Sequence, residues 1–463
     1  MKKVLLVLVV AALATGAAWA QSTGDIWDEI DTNMPSTAAI TTHLDDRANV
    51  GFQRQLGLSA VPGGGLSVES RNSAGLFRSN VDQFIDPRWH NPEAEGNFMF
   101  VGGDFNNSPA INFGFSTTLG GMYLAFFYGG YFVYAAGARE IDVGTDDAVH
   151  RVRAADWKSN LAVLLGIAGM GIRLDVIVDT ASFAESVRDG DDDDTLTRGR
   201  TLEDWHRGSS VALTWGANLG QIAPWVRVGY RFATERTRTV YDDDDYTITT
   251  VGGAIEVAGG ARFFLSEATA VGGDIWFAGH FADRERGSFG GDDFDDRGLN
   301  EFGGIGFGIG AYVLHRVDAG PAALAFRPTL DFGLSTWSGN WSTDDGTDTD
   351  DGSEIGDRYT TLRAGFNVGA RVQATERITL FTGATMRLFN WNTWAATDGD
   401  DDDATSSAWN FHGVNIGDLN VGMTFTATEN IVFGLGLNNF ARRLFNVEDQ
   451  QTIGFDANVS IRF

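Results

Sequence analysis

The chain has 463 residues, of which 62 are acidic and 34 are lysine or arginine, so its formal charge is −28 at pH 7. This excess of negative charge argues against nucleic acid as a partner, because a phosphate backbone binds basic surfaces. The chain has no cysteine and therefore no disulfide, and its 59 glycines, 33 phenylalanines and only 8 prolines favour a large antiparallel sheet.

The first twenty residues, MKKVLLVLVVAALATGAAWA, have the three parts of a secretory signal. Two lysines precede the apolar stretch Val4–Ala14, and Ala18 and Ala20 form a small-x-small cleavage pattern. We predict a signal peptide over residues 1–20, cleaved after Ala20. No later run reaches the roughly eighteen apolar residues of a spanning helix, so the exported chain is either soluble or a β-barrel.

Residues 21–96 lack a regular alternation of apolar and polar residues. The stretch GDIWDEI fits a short amphipathic helix, and SAVPGGGLSVESRNSAG fits an extended segment or loop. We predict an N-terminal extension over 21–96 that is a periplasmic lead-in, a hatch folded into a barrel, or both.

From about residue 97 a unit repeats: an alternating segment, a short turn, a second alternating segment and an acidic loop. The short turns lie near TLGGM, GMGI, NLGQ, LSEA, DAGP, ATER and ATEN. Short turns at one end and long polar loops at the other are typical of an outer-membrane barrel. The sequence therefore predicts an all-β, transmembrane antiparallel meander β-barrel of about 14–16 strands over 97–463, with one continuous strand near 408–426.

The strands have an apolar and a polar face. In TLRAGFNVGARVQA, Phe366 and Val368 fall on one face, whereas Arg363 and Arg371 fall on the other. A soluble β-sandwich would also alternate, but rarely over so many strands without a second kind of element. A membrane wall requires this pattern in every strand, because lipid cannot hydrogen-bond an open sheet edge.

Charges on the polar face should point into the lumen, because each would cost a few kcal/mol in lipid. They either neutralise one another and brace the wall or form a constriction that selects solutes by charge, and both alternatives stay open. The inward glycines of GGIGFGIGAYV likewise either leave room in the lumen or ease strand curvature. The lumen-facing candidates are Arg173, Asp175, Asp179, Arg227, Arg231, Glu256, Arg262, Asp274, Arg327, Asp331, Arg363, Arg371, Arg387, Asp456 and Arg462.

Tryptophans cluster where strands meet the acidic loops. Such residues favour the membrane interface, so we predict a tryptophan girdle on the loop side, beyond which the long strands project. The girdle residues are Trp157, Trp205, Trp337, Trp341, Trp391, Trp394 and Trp409.

The acidic runs Asp191–Asp194, Asp242–Asp245 and Asp400–Asp403 offer the oxygen ligands that calcium prefers. They also fit hydrated loops that repel neighbouring molecules, and the spacing around Gly352 does not match an EF-hand. Calcium in the loops is therefore one alternative, and no other cofactor is predicted. The seven histidines form no metal-spaced pair, so no enzyme is predicted.

These features resemble Gram-negative-type outer-membrane β-barrel proteins. The closing segment TIGFDANVSIRF, with Val459, Ile461 and the terminal Phe463, is similar to the strand by which the barrel-assembly machinery recognises them. The resemblance implies an outer-membrane location among its lipids and a periplasmic C-terminal end. Hydrophobic-substrate transporters of the FadL type are similar in size and have an N-terminal hatch. Their Asn-Pro-Ala signature has a loose counterpart in Asn91–Ala94.

Three functions follow from this interpretation. The first is a porin-like channel or transporter for small solutes or ligands. The second is a FadL-like carrier of hydrophobic compounds, which requires an apolar cavity beside the hatch. The third is a structural or adhesive surface protein that displays its acidic loops. The sequence specifies neither the solute nor the oligomeric state.

Overall fold

The computed structural model describes part of the chain. The described residues are 72–74, 76–77, 86–88, 97–104, 110–142, 147–189, 200–241, 244–289, 298–342, 353–397, 404–410, 419–438 and 454–463. The predicted signal peptide, most of the N-terminal extension and Asn91–Ala94 lie outside them. Within these ranges, no helix is long and apolar enough to cross a membrane.

The described chain forms a single sheet of seventeen strands. They are β1 (Phe98–Asp104), β2 (Ala110–Leu119), β3 (Met122–Asp142), β4 (Asp147–Ile167), β5 (Met170–Asp189), β6 (Arg200–Ala217), β7 (Ile222–Tyr241), β8 (Asp244–Phe264), β9 (Thr269–Phe289), β10 (Gly298–Ala319), β11 (Ala322–Ser342), β12 (Ser353–Gln373), β13 (Ile378–Thr397), β14 (Ala404–Asn410), β15 (Asn420–Thr428), β16 (Ile431–Asn438) and β17 (Gly454–Arg462).

The sheet closes on itself, because β1 pairs antiparallel with both β2 and β17. Elsewhere the strands pair in chain order, except that β13 pairs with β14 at one end and with β15 at the other. Since β14 and β15 share one place in the wall, the seventeen strands make a barrel of sixteen positions. The predicted all-β meander barrel is confirmed.

Both ends of the strand predicted near 408–426 lie in strands, β14 and β15, and residues 411–418 lie outside the described part. Gly383 and Asn390 on β13 are seven residues apart. Their partners, Asn420 on β15 and Asn410 on β14, are ten residues apart. The pairing of β13 with β14 is therefore offset by three residues from its pairing with β15.

The predicted short turns join the strands at one end of the barrel. Between β2 and β3, Gly120 and Gly121 have φ values of 59° and 84°. A two-residue hairpin of type I′ requires positive φ at both positions, and glycine adopts it at low cost. Here the local chemistry of the turn sets the register of the hairpin.

The two faces of the wall have the opposite polarity to those of a soluble protein. On β5, Ile172 and Leu174 are 48% and 42% exposed, whereas Arg173 and Asp175 between them are 5% and 1% exposed. A soluble sandwich would bury the apolar face and hydrate the charged one. The sandwich alternative is therefore wrong, and the outer face is suited to lipid.

The strands β3 to β13 are 18–22 residues long, about twice the length that a bilayer requires. Their outward apolar residues lie toward the short turns, so the wall extends beyond the membrane on the loop side. Trp157 and Trp205 lie on the outward face of this side, 37% and 41% exposed. The side chains of Trp337, Trp341, Trp394 and Trp409 lie outside the described part.

Candidate functional site

Most of the charged side chains that were predicted to face the lumen do so. Each alternates along its strand with outward apolar residues. For example, Arg231 lies between Tyr230 and Phe232, which are 46% and 43% exposed. The inward residues are Arg173, Asp175, Arg227, Arg231, Glu256, Arg262, Asp274, Arg327, Asp331, Arg363, Arg371 and Asp456. Arg462 is exposed near the end of β17, and the side chains of Asp179 and Arg387 lie outside the described part.

Opposite charges lie close together on this inner wall. The guanidinium of Arg173 contacts the carboxylate of Asp175 at 2.5 Å, and both side chains are buried. Asp331 on β11 lies directly opposite Arg363 on β12. These pairs fit the bracing role, because a buried charge is tolerated only beside a partner.

One arginine of the wall is held by a tyrosine. The Nε of Arg262 donates to the hydroxyl of Tyr312 at 2.9 Å. The Tyr312 ring covers Gly272, where a Cβ would overlap it, and the Trp276 indole covers Gly308 in the same way. Aromatic side chains commonly cover glycines on neighbouring strands. The inward space at Gly308, one of the glycines of GGIGFGIGAYV, is therefore filled by a tryptophan of the wall.

Residues 72–74, 76 and 77 form a compact turn inside the barrel, which we call the docked turn. The Ser73 hydroxyl accepts a hydrogen bond from the Phe77 amide at 3.0 Å, and its donor bond to the Phe77 carbonyl measures 3.3 Å. The Leu76 amide donates to the Ser73 carbonyl at 3.1 Å. Ala74 has a φ of 54°, the left-handed conformation that closes the turn.

The docked turn sits on wall glycines. A Cβ at Gly422 would lie 2.9 Å from the Asn72 side chain, and one at Gly436 would overlap that side chain. A Cβ at Gly369 would lie 2.8 Å from the Ser73 carbonyl oxygen, and one at Gly383 would overlap the Ser73 backbone. Glycine leaves the room for contacts this close, with the Ser73 backbone on β12 and β13 and with the Asn72 side chain on β15 and β16, so the four strands together form a seat for the turn.

Two arginines hold the aromatic end of the docked turn. The guanidiniums of Arg316 and Arg371 lie 5.9 Å and 5.4 Å from the centre of the Phe77 ring. Phe77 is 4% exposed and also packs in an apolar cluster with Leu76, Ala323, Ala325 and Phe381. Both cation–π contacts and burial favour the docked position. Arg371, which the sequence assigned to the lumen, thus contacts the N-terminal segment.

The carbonyl of Ala74 receives two long polar contacts from the wall. Arg327 Nη2 lies 3.4 Å from this oxygen, and Asn367 Nδ2 lies 3.5 Å from it. At these lengths each bond is weak, so these two contacts add little to the ring contacts and the close packing on the wall glycines.

A second piece of the N-terminal segment lies on the opposite side of the lumen. Arg88 forms two side-chain hydrogen bonds with Asp86, at 2.9 Å and 2.8 Å, and its amide donates to the same carboxylate at 3.0 Å. Burial lowers the pKa of Arg88, but the charge and hydrogen bonds of Asp86 more than offset this and raise it above the ordinary value. Pro87 and Arg88 pack over Gly171 and Gly216, at distances of 2.8 Å and 2.7 Å from a Cβ built there.

The lumen also has an apolar side that the sequence analysis missed. Inward side chains of β1, β3 and β4 form a buried cluster with exposures of 0–6%. Its members are Phe98, Phe100, Tyr123, Ala125, Phe127, Ala162 and Leu164. The signal was present in MYLAFFYGGYF, where both faces of β3 are rich in apolar residues. The assumption of one polar face per strand concealed it.

Among the described residues, no three histidine, aspartate or glutamate side chains come together as a metal site. Asp191–Asp194 and Asp400–Asp403 lie outside these residues, as do Asp242 and Asp243. Calcium in the loops therefore stays a prediction.

A closed barrel with an apolar outer face, a charged lumen and a docked inner turn defines a transmembrane β-barrel of the outer-membrane type. No family model matches the chain, and no curated protein matches its sequence.

Three solved structures illustrate what the chain resembles. The toluene transporter TbuX of Ralstonia pickettii is 12% identical and has a TM-score of 0.35, with 87% of this chain and 99% of that chain covered. The copper transporter OprC is 10% identical, with a TM-score of 0.32 and coverages of 81% and 82%. The ferric yersiniabactin uptake receptor FyuA of Yersinia pestis is 9% identical, with a TM-score of 0.28 and 81% of both chains covered.

Proposed function

We propose that this protein is an outer-membrane channel or transporter that carries small solutes through its lumen, past the docked turn. The observation that carries this proposal is the seat of the turn, which is built from glycines of four strands and two arginines around Phe77. A barrel that only displays loops needs no such seat. A transporter needs a part of its lumen that can be occupied and vacated.

The charges of the lumen favour anionic solutes. On β7 to β12, six of the inward residues that the sequence predicted are arginines and three are acids. The arginines are Arg227, Arg231, Arg262, Arg327, Arg363 and Arg371, and the acids are Glu256, Asp274 and Asp331. Side chains that line a pore at close quarters select ions by their charge. This part of the lumen therefore favours anions although the chain as a whole is acidic.

The apolar cluster on β1, β3 and β4 favours a second candidate, a FadL-like carrier of hydrophobic compounds. Phe100 and Phe127 stack with their ring centres 6.1 Å apart on the inner wall. Such a carrier requires an apolar cavity, and the cluster supplies apolar inward side chains, 0–6% exposed, on this part of the wall. The two functions differ in whether the lumen conducts ions.

The location and the route of assembly belong to the same proposal. The signal peptide exports the chain, and the barrel-assembly machinery inserts it into the outer membrane. The terminal Phe463 supports this route, because it is 61% exposed on the outer face and stacks on Phe115 at a centre distance of 6.4 Å. Its exposed ring is available to an assembly partner.

The test is ion conductance of the purified full-length protein in planar bilayers. Stepwise currents support the channel, and replacing Arg363 with glutamate should shift the reversal potential in a KCl gradient toward cations. Arg358 provides the control, because it lies on the same strand but is exposed on the outer face. Its replacement with glutamate should leave the reversal potential unchanged.

An electrically silent protein that speeds the entry of an apolar fluorescent probe into vesicles supports the carrier. Silence in both assays would overturn both transport proposals and favour the display role.

A further inference from the structure

The outer face of β4 to β7 changes from apolar to basic toward the loop side. On β7 every outward residue from Ile222 to Phe232 is apolar or aromatic, and Thr234, Arg236 and Arg238 follow. These ten steps span about 25 Å along the barrel axis at a tilt of about 40°, which is the height of a hydrocarbon layer around such barrels. The arginines therefore begin at the level of the lipid headgroups.

Among the side chains that the structure describes, four outward arginines occupy this zone on β4, β6 and β7. They are Arg153, Arg207, Arg236 and Arg238, which we call the loop-side arginine patch. The first three are exposed, and Arg238 is 39% exposed with its guanidinium 3.6 Å from Glu203. Glu203 is the one acid among the described outward residues of this zone, so the patch has a net charge of +3 in a chain whose total is −28.

The patch has the spacing that a phosphate group requires. Arg207 lies opposite Thr234, and Arg236 lies opposite Trp205, so the two arginines are diagonal neighbours across β6 and β7. Diagonal neighbours on one face are roughly 7–8 Å apart at Cα, so two long guanidinium side chains can bind the same phosphate. Trp205, 41% exposed, lies on the same face, opposite Arg236 and two residues from Arg207, and tryptophan favours the membrane interface.

We infer that the loop-side arginine patch binds phosphate-bearing lipid headgroups of the membrane leaflet on the loop side. The patch continues directly from the apolar face that contacts lipid, so its lower edge already adjoins acyl chains. Its charge is complementary to a phosphomonoester and opposite to that of the acidic loops beyond it. Arginine is suited to this role because its planar group donates two parallel hydrogen bonds to phosphate. This inference concerns the outer face and is independent of what the lumen carries.

Lipid retention tests the inference directly. The full-length protein is reconstituted in nanodiscs of phosphatidylcholine with a minor fraction of phosphatidic acid, and its bound lipids are counted by native mass spectrometry. Wild type should retain phosphatidic acid selectively. Replacing both Arg207 and Arg236 with glutamine should weaken this retention about 25-fold, since each basic residue near an anionic surface contributes a factor of about five.

Arg231→Gln is the matched control, because Arg231 lies on β7 but faces the lumen. It should leave lipid retention unchanged. Equal retention by the double variant and wild type would overturn the inference, as would an equal loss in the control. A measurement on wild type alone adds a second test. Raising KCl about tenfold should reduce the preference for phosphatidic acid over phosphatidylcholine, and a salt-independent preference would contradict binding through charge.

Discussion

Replacing Gly383 with alanine should loosen the docked turn. A Cβ at this position would overlap the backbone of Ser73, whereas one at Gly229, also on the inner wall, meets nothing closer than 3.4 Å. Backbone atoms cannot move aside as a flexible side chain can, so the wall or the turn must shift. Overpacking of this kind costs about 1–3 kcal/mol.

The size of the effect follows from what holds the turn in place. Burial of Phe77 contributes about 3 kcal/mol to the docked state and its two cation–π contacts together about 1 kcal/mol, beside the packing of Asn72 and Ser73 on the wall glycines. Whatever the starting population of the undocked state, a loss of about 2 kcal/mol raises it about 30-fold. The turn should remain docked for most of the time but open far more often.

Because the chain has no cysteine, a cysteine introduced by mutation can be labelled without background from other thiols. Ser73→Cys introduces a single thiol at a site that is fully buried in the docked state. Its rate of reaction with a water-soluble maleimide then reports the undocked population, because the thiol reacts only when the turn opens. Adding Gly383→Ala should raise this rate about 30-fold, with a range of about 5- to 150-fold for the cost given above.

Gly229→Ala in the same Ser73→Cys background is the control, and its labelling rate should equal that of the parent. If Gly383→Ala labelled no faster than Gly229→Ala, the close contact between the turn and the wall would be refuted. The same result would remove the main support for the proposed transport function.

Three further predictions concern the barrel wall. Epitope tags inserted in Ala374–Arg377 should be hidden from antibody on intact cells, and tags within Asp400–Asp403 should be reached; the reverse pattern would contradict the orientation. Deleting Phe463 should lower the yield of folded barrel in the membrane without affecting synthesis, because the closing strand loses its amide bond to Asn97; normal yield would exclude this role. Val368→Arg should destabilise the barrel by about 2–4 kcal/mol in urea titrations, and Thr361→Arg, inward on the same strand, far less; equal losses would contradict a lipid-facing wall.

The sequence by itself determined the strands, their two faces and the end at which they turn. The period of a strand is two residues, so Ile172, Arg173, Leu174 and Asp175 reveal the face of β5 without knowledge of its neighbours. A glycine pair such as Gly120–Gly121 likewise specifies its hairpin locally, because positive φ is a property of single residues. These features depend on residues that are close together in the chain.

The docked turn could not be predicted from such local patterns. Asn72, Ser73 and Ala74 lie in a glycine- and serine-rich stretch that the sequence analysis assigned to an extended segment or loop. The turn is recognisable only from its environment, since Asn72 lies over Gly422 and Gly436, about 350 residues away along the chain. In the sequence, the glycines of these four strands are indistinguishable from other small residues. Their role as a seat becomes visible only when the strands pair in the barrel.

Only the tertiary structure decided which charges contact what. The sequence placed Arg371 on the polar face, and the closed barrel brought it over the Phe77 ring at 5.4 Å. The sequence also treated β3 as polar on one side, whereas the structure buried Tyr123 and Phe127 in an apolar part of the lumen. Alternation tells which way a side chain points, but the partner it meets depends on barrel closure, on strand register and on the path of the N-terminal segment. Those depend on the whole chain at once.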